Sequence, residues 1–292
     1  GARDFKAEGI GLYRTEFLYL KETLPTEEEQ YDEYLRIVKG IFPNPVTIRT
    51  LDLGGDKLAP KLHLQHLQAI NEHNPFLGLR STRLAIRYPQ LFKTQLRAIL
   101  RVSTAGKVKI LFPMISTVEE LQTVKQILYH VMDDLRRDQI PFNEKIELGA
   151  MIEVPSAALA VDIIAREVDF LSIGTNDLIQ YTLAVDRTNE EIAYLYEPKH
   201  PVIIKLIQLI LDAGHRLGKP VALCGEMAAE TELSILLLGL GLEEFSVPAA
   251  SIAKIKRNIR AINLTTAKQL AQEIVPATTT EQINQIMARF RV

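Results

Sequence analysis

Short apolar runs alternate with longer segments of helical period along this chain. The runs are Gly9 to Tyr13, Val46 to Leu51, Lys109 to Ile115, Ile146 to Glu153, Phe170 to Gly174, Val221 to Cys224 and Glu244 to Val247. Most are apolar at successive positions, which suits parallel strands covered on both faces. Between them, apolar residues recur three and four apart. Thr26 and Glu29 have the spacing of a capping box and open a helix carrying Tyr31, Tyr34, Leu35 and Val38, closed by Pro43 and Pro45. Leu77 to Val102 is helical in pattern and predicted to divide at Pro89, with Arg80, Arg83 and Arg87 on one face of the first piece. Ser116 with Glu119 predicts the cap of a helix reaching about Arg137. Further helices are predicted over 157–166, 202–217, 232–240 and 251–261, and two more, 266–275 and 281–290, follow without another strand. Residues 3–8 read as the end of a helix, and 61–74 as a loop.

Strands that alternate with helices in single file predict an α/β fold with a parallel sheet and right-handed crossovers. The strands are one short of a (β/α)8 TIM-type barrel. The expectation is such a barrel with its first strand upstream of Gly1 and with extra C-terminal helices. It would form one domain over 1–292, the C-terminal part of a longer protein.

Composition narrows the classes. With 292 residues, 47% of them hydrophobic, the chain can bury one large core. Its 34 Lys and Arg against 36 Asp and Glu leave a formal charge of -2, which argues against bulk attraction to nucleic acid or to an anionic membrane. The longest apolar stretch, Leu233 to Leu242, falls short of the ~20 residues a spanning helix needs, so no membrane insertion is expected. The charged start, GARDFKAEG, has no apolar signal core. The single cysteine, Cys224, precludes an internal disulfide and fits a reducing, cytoplasmic compartment.

Several runs end in a reactive side chain: Arg14, Arg49, Glu153, Asn176 with Asp177, and Cys224. In a TIM-type barrel the carboxyl ends of the strands share one rim, where active sites sit. Glu153 and Asp177, from neighbouring strands, could bring two carboxylates to one hard cation and leave positions for substrate oxygen and water, as Mg2+ favours. Salt bridges to nearby arginines are the competing reading. Arg14, Arg49, Arg80 and Arg187 concentrate positive charge in a near-neutral chain, and guanidinium binds two oxygens of a phosphate or carboxylate at once. Taken singly, each is more often a solvated or salt-bridged arginine. Backbone N–H groups near Asn176, at a helix start, add an anion site. Cys224 is either a small core residue or a thiol that exchanges a proton. His63, His66 and His73 show no metal-ligand spacing and read as solvated loop residues.

The motifs GLYRTEFL, IRTLDLGGDK, NPFLGLRSTRL, MIEVPSAAL, SIGTNDLIQYTLAVDR and CGEMA occur in this order between about Ala7 and Ile259. In them the chain resembles the C-terminal, phosphoenolpyruvate-binding domain of Enzyme I of the bacterial sugar phosphotransferase system. The barrels of pyruvate phosphate dikinase and phosphoenolpyruvate synthase share the same plan, but the wording LYRTEFL and QYTLAVDR looks more like Enzyme I. The resemblance implies that Glu153 and Asp177 ligate Mg2+, and that Arg49 and Arg187 hold the phosphoryl group with Asn176 beside them. It further implies that Arg14 joins this cluster, that Arg80 faces the anionic substrate, and that Cys224 gives a proton to the methylene carbon of enolpyruvate.

The same resemblance implies transfer of the phosphoryl group of phosphoenolpyruvate to a histidine on a separate N-terminal domain, with release of pyruvate. The phosphocarrier protein HPr or a paralogue would receive it next, and the protein would be a homodimer. No segment here resembles the phosphohistidine domain, so binding of phosphoenolpyruvate and Mg2+ without net turnover is expected. An ATP-linked dikinase or synthase barrel and a catalytically silent sensing or dimerisation module stand as alternative readings.

Overall fold

The structure, a computed structural model, describes residues 3–54 and 74–290. Gly55, Asp56 and Lys57 of the IRTLDLGGDK motif, and the loop with His63, His66 and His73, lie outside the described residues. Two compact units are present: Glu8–Ala150, and Gly1–Ala7 with Met151–Val292. Among the described residues seven parallel strands succeed one another in chain order with helices between them, an α/β fold of the TIM-barrel class.

The unit Glu8–Ala150 holds β1 (Ile10–Tyr13), α1 (Glu27–Ile41), β2 (Val46–Arg49), α2 (Ser81–Arg87), α3 (Pro89–Val102), β3 (Val108–Phe112), α4 (Val118–Arg137) and the start of β4 (Glu147–Ile152). Val46 to Arg49 pair with Val108 to Leu111, and Lys109 to Phe112 with Glu147 to Ala150. All of β2 is buried, and so is β4 after Glu147, as strands covered on both faces must be. The capping box at α1 forms as predicted: the Thr26 hydroxyl accepts from the Glu29 N–H, and the Glu29 carboxylate accepts from the Thr26 N–H at 2.8 Å. Glu27, Glu28 and Glu29 then place negative charge at the positive end of the helix. α1 packs on α3, whose Leu96, Ala98, Ile99 and Leu100 are fully buried.

One local expectation holds in this unit and two shift. Pro89 divides the helical pattern by standing at the first position of α3, where its missing N–H would have had no partner anyway. Arg80 is the extended N-cap of α2 (φ -140, ψ 163), so it does not share a helical face with Arg83 and Arg87. The cap of α4 is Thr117, one residue later than expected. Its hydroxyl accepts from the Glu120 N–H, while the Glu120 carboxylate reaches back to the Ser116 N–H at 2.8 Å and its hydroxyl at 2.6 Å.

In the other unit, residues 3–6 form a turn, not a helix end. After β4 come α5 (Pro155–Leu159), α6 (Val161–Ile164), β5 (Phe170–Gly174), α7 (Thr175–Leu183), α8 (Pro201–Leu217), β6 (Val221–Cys224), α9 (Thr231–Gly239), β7 (Glu244–Ser246), α10 (Ile252–Ala261), α11 (Leu264–Ile274) and α12 (Thr280–Arg289). Leu171 to Gly174 pair with Val221 to Cys224, and Cys224 pairs with Ser246. The single helix predicted over 157–166 is broken at Ala160 into α5 and α6. α9 buries Leu233, Leu236 and Leu237 and packs on α10 and α11. Among the described residues no helix is long and apolar enough to cross a membrane.

Candidate active site

Strand ends in the unit Glu8–Ala150 deliver charge that is already partly neutralised. β1 is followed by exposed Arg14 and fully buried Thr15, whose hydroxyl donates to the Arg49 carbonyl at 3.1 Å. β2 ends in Arg49, only 8% exposed, and a guanidinium so buried needs counter-charge. Its Nη1 lies 2.9 Å from Asp52 Oδ2 and its Nη2 3.0 Å from Glu16 Oε1. The other Asp52 oxygen accepts from Arg80 Nη2 at 3.0 Å and from the Ser81 hydroxyl. Burial acts against charge on Asp52, but Arg49, Arg80 and the Ser81 hydrogen bond outweigh it and hold the carboxyl below its ordinary range.

Helix α3 positions this group from behind. Buried Gln95 accepts from the Leu51 N–H at 2.9 Å and donates to Thr15 Oγ1 at 3.1 Å, so one amide ties together the segments that leave β1 and β2. Ser81 takes a left-handed φ of +51, which costs a residue with a side chain roughly 1–2 kcal/mol. Its bond to Asp52 offsets part of that.

In the second unit, β4 runs into Glu153, which is 1% exposed. A Cβ on Gly174, the last residue of β5, would stand 2.7 Å from Glu153 Oε2 and 2.8 Å from Glu153 Cβ. The absent side chain is therefore what leaves room for the buried carboxylate. Gly174 pairs in register with Cys224, also buried, whose sulfur lies 3.2 Å from Ser172 Oγ and 3.5 Å from the Ile173 carbonyl. The first turn of α7 carries buried Asn176 and half-buried Asp177. Asn176 Oδ1 accepts from the Glu226 N–H at 3.1 Å, and Asn176 Nδ2 donates to Glu226 Oε1 at 3.5 Å. Arg187 Nη1 stands 3.6 Å from that same oxygen.

Gly225 makes this interlock possible. Its φ is +125, and a Cβ there would overlap the Thr175 hydroxyl. Half-buried Tyr196 shares these surroundings. Burial pushes its hydroxyl up to about 12, with Arg187 pulling against it and Glu226, Asp177 and Glu230 adding to it.

The structure thus joins Arg49 and Arg80 on Asp52, joins Asn176 and Arg187 on Glu226, and sets Glu153 and Cys224 about the end of β5. Arg14 is exposed beyond β1. Asp52, Glu16, Glu226, Ser172 and Tyr196 are not singled out by sequence pattern. The available hint was that Asp52 and Glu226 closely follow predicted strand ends. Among the described residues no group of three or more His, Cys, Asp and Glu side chains is arranged to hold a metal ion.

Comparison with known proteins adds the family context. The family described as PEP-utilising enzyme, PEP-binding domain, matches residues 1–264. The chain is 46% identical over 285 residues to the phosphoenolpyruvate-protein phosphotransferase of Staphylococcus carnosus (strain TM300), covering 97% of this chain and 49% of that protein. It is 46% identical over 291 residues to the protein of the same name from Haemophilus influenzae, covering 99% and 50%. The chain therefore spans about half the length of these relatives. Among solved structures, an HpcH/Hpal aldolase/citrate lyase family protein from Burkholderia cenocepacia J2315 is similar with a TM-score of 0.52 at 14% identity, over 89% of each chain. A Haloferax volcanii malate synthase reaches 0.51 at 12% identity, covering 81% of this chain and 56% of that one. Likeness to these two extends to the fold alone.

Proposed function

The chain belongs to the phosphoenolpyruvate-utilising enzyme family, as its phosphoenolpyruvate-binding domain, and we propose that it is the phosphoenolpyruvate- and Mg2+-binding part of a phosphoenolpyruvate-protein phosphotransferase. The activity is transfer of the phosphoryl group of phosphoenolpyruvate to a histidine on a part of the protein outside this chain, with release of pyruvate. The observation that carries this reading is the end of β5, where Gly174 leaves room for the Glu153 carboxylate, level with the Cys224 thiol and next to Asn176 and Asp177.

Glu153 and Asp177 fit Mg2+. Both offer hard oxygens and would hold the ion while leaving positions on it for water and substrate oxygens. When bound, the ion supplies positive charge that polarises the phosphoryl and enolate oxygens. Arg14, Arg49 and Arg187 hold the phosphoryl oxygens by charge-assisted hydrogen bonds, Asn176 donates beside them, and Arg80 binds the anionic substrate. Phosphoryl transfer asks mainly for position and charge neutralisation. Arg49, held by Asp52 and Glu16, is in place before charge moves and needs no reorganisation as it does.

Departure of the phosphoryl group leaves the enolate of pyruvate. Its methylene carbon takes the proton of the Cys224 thiol, giving pyruvate and a thiolate that solvent later reprotonates. Passage of the phosphoryl group to HPr or a paralogue, homodimerisation and a cytoplasmic location belong to the same proposal. Identity over nearly the whole chain to phosphotransferases favours this reading over a dikinase or synthase barrel.

Calorimetric titration of this chain with phosphoenolpyruvate, with and without Mg2+, tests the proposal. Heat that depends on Mg2+ and disappears in Glu153→Gln is expected. No heat in either titration would overturn it in favour of a silent module.

A further inference from the structure

We propose that Ser172 is a positioning residue for Cys224, holding its sulfur in place and stabilising the thiolate left when the proton has gone. This rests on the role proposed above for Cys224. Ser172 lies on β5 and Cys224 on β6, 1% and 2% exposed, with Oγ and Sγ 3.2 Å apart. The same sulfur lies 3.5 Å from the Ile173 carbonyl, which can only accept. With the S–H directed to that carbonyl, the Ser172 hydroxyl is the group that donates to sulfur.

The two contacts respond oppositely to loss of the thiol proton. The carbonyl loses its donor and faces an anion, whereas the Ser172 O–H keeps donating. A bond to a charged acceptor is roughly twice as strong as a neutral one. The position is otherwise suited to an apolar side chain: its β5 neighbours Leu171 and Ile173 are fully buried, and a buried hydroxyl is costly without a partner.

Several other groups lie near the ends of β5 and β6. β5 contributes no charge, and β7 places Ser246 in register with Cys224. The turn after β6 and helix α7 carry Glu226 and Asp177, Arg187 pairs with Glu226, and Glu153 reaches Gly174, the register partner of Cys224. All of these stay as they are when Ser172 is replaced, so a change in the thiol's titration reports the hydroxyl.

Cys224 is the chain's single cysteine, so heavy-carbon labelling of cysteine Cβ yields one NMR resonance that follows its ionisation. In Ser172→Ala the midpoint is expected to rise by about one pH unit, the loss of one hydrogen bond to a charged acceptor. In Ser172→Thr, which keeps the hydroxyl, it returns most of the way. A midpoint unmoved or lowered in Ser172→Ala would overturn the proposal and leave Ser172 as a packing residue. Where Ser172→Ala does not fold, Ser172→Gly is read in the same way. Binding of phosphoenolpyruvate with Mg2+, measured on the same samples, keeps the two readings apart. Absence of binding by the parent chain counts against the phosphoenolpyruvate site, whereas the titration judges Ser172 alone.

Discussion

Arg80 donates from Nη2 to Asp52 Oδ1 across 3.0 Å, tying the start of α2 to the segment that leaves β2, 28 positions earlier. Asp52 also neutralises Arg49, so one buried carboxylate serves two guanidinium groups. Asp52→Asn leaves both without it, and breaking a buried ion pair costs roughly 3–5 kcal/mol. Urea denaturation is expected to show a loss of that size, with weaker phosphoenolpyruvate binding alongside. The pH dependence has a definite sign. Because the folded carboxyl is held below its ordinary value of 3.8, its contribution is full above that pH and is lost as pH falls through the lowered value. Parent and Asp52→Asn should therefore converge in stability at the acid end and diverge on the way up to neutrality.

On the proposed role of Arg187, Glu226 would compete with substrate for its guanidinium. The pair is exposed and 3.6 Å apart, so its worth is small, up to about 1 kcal/mol. Glu226→Gln keeps the backbone bond to Asn176 and removes the charge. Phosphoenolpyruvate is expected to bind up to about fivefold tighter by calorimetry, an effect that fades with added salt. Weaker binding would mean that the carboxylate assists the substrate.

Gly174→Ala tests the space occupied by Glu153. The new methyl would displace a carboxylate that has little room to retreat, while the backbone of Gly174, at φ -92, tolerates alanine. Mg2+ affinity in the presence of phosphoenolpyruvate should fall by about 10- to 100-fold, the usual consequence of disturbing how a ligand is oriented. Circular dichroism close to the parent's would show that the loss is local. Unchanged Mg2+ dependence would remove Glu153 from the proposed metal pair.

Cys224→Ala should leave phosphoenolpyruvate binding nearly intact, since in the proposed mechanism the thiol acts after the phosphoryl group has left. In a protein of the relatives' full length, pyruvate formation should fall by about two to four orders of magnitude, the usual weight of a general acid. Normal turnover by that variant would take the thiol out of the mechanism.

How legible the molecule was depends on the range of the interaction concerned. The Thr26 and Glu29 box, the division at Pro89 and the strand runs ending in Gly174 and Cys224 were all readable, because each depends on residues a few positions apart. The α4 cap moved from Ser116 to Thr117 because two adjacent hydroxyls compete and only the register of the helix decides which serves. Arg80 left the predicted helical face because its side chain answers to Asp52 and not to Arg83 or Arg87.

By itself, the chain's order of residues determined the succession of strands and helices, the family resemblance and the types of side chain at the strand ends. Those follow from periodicity and from bonds within one turn. Only the tertiary structure decided that Asp52 would neutralise Arg49 and Arg80, that Glu226 would meet Asn176 and Arg187, and that Ser172 would face the sulfur of Cys224. Apart from Arg49 with Asp52, three residues apart on one stretch of chain, each of those pairings joins groups on different elements, and strand register and helix packing, not local pattern, bring such groups within hydrogen-bonding range.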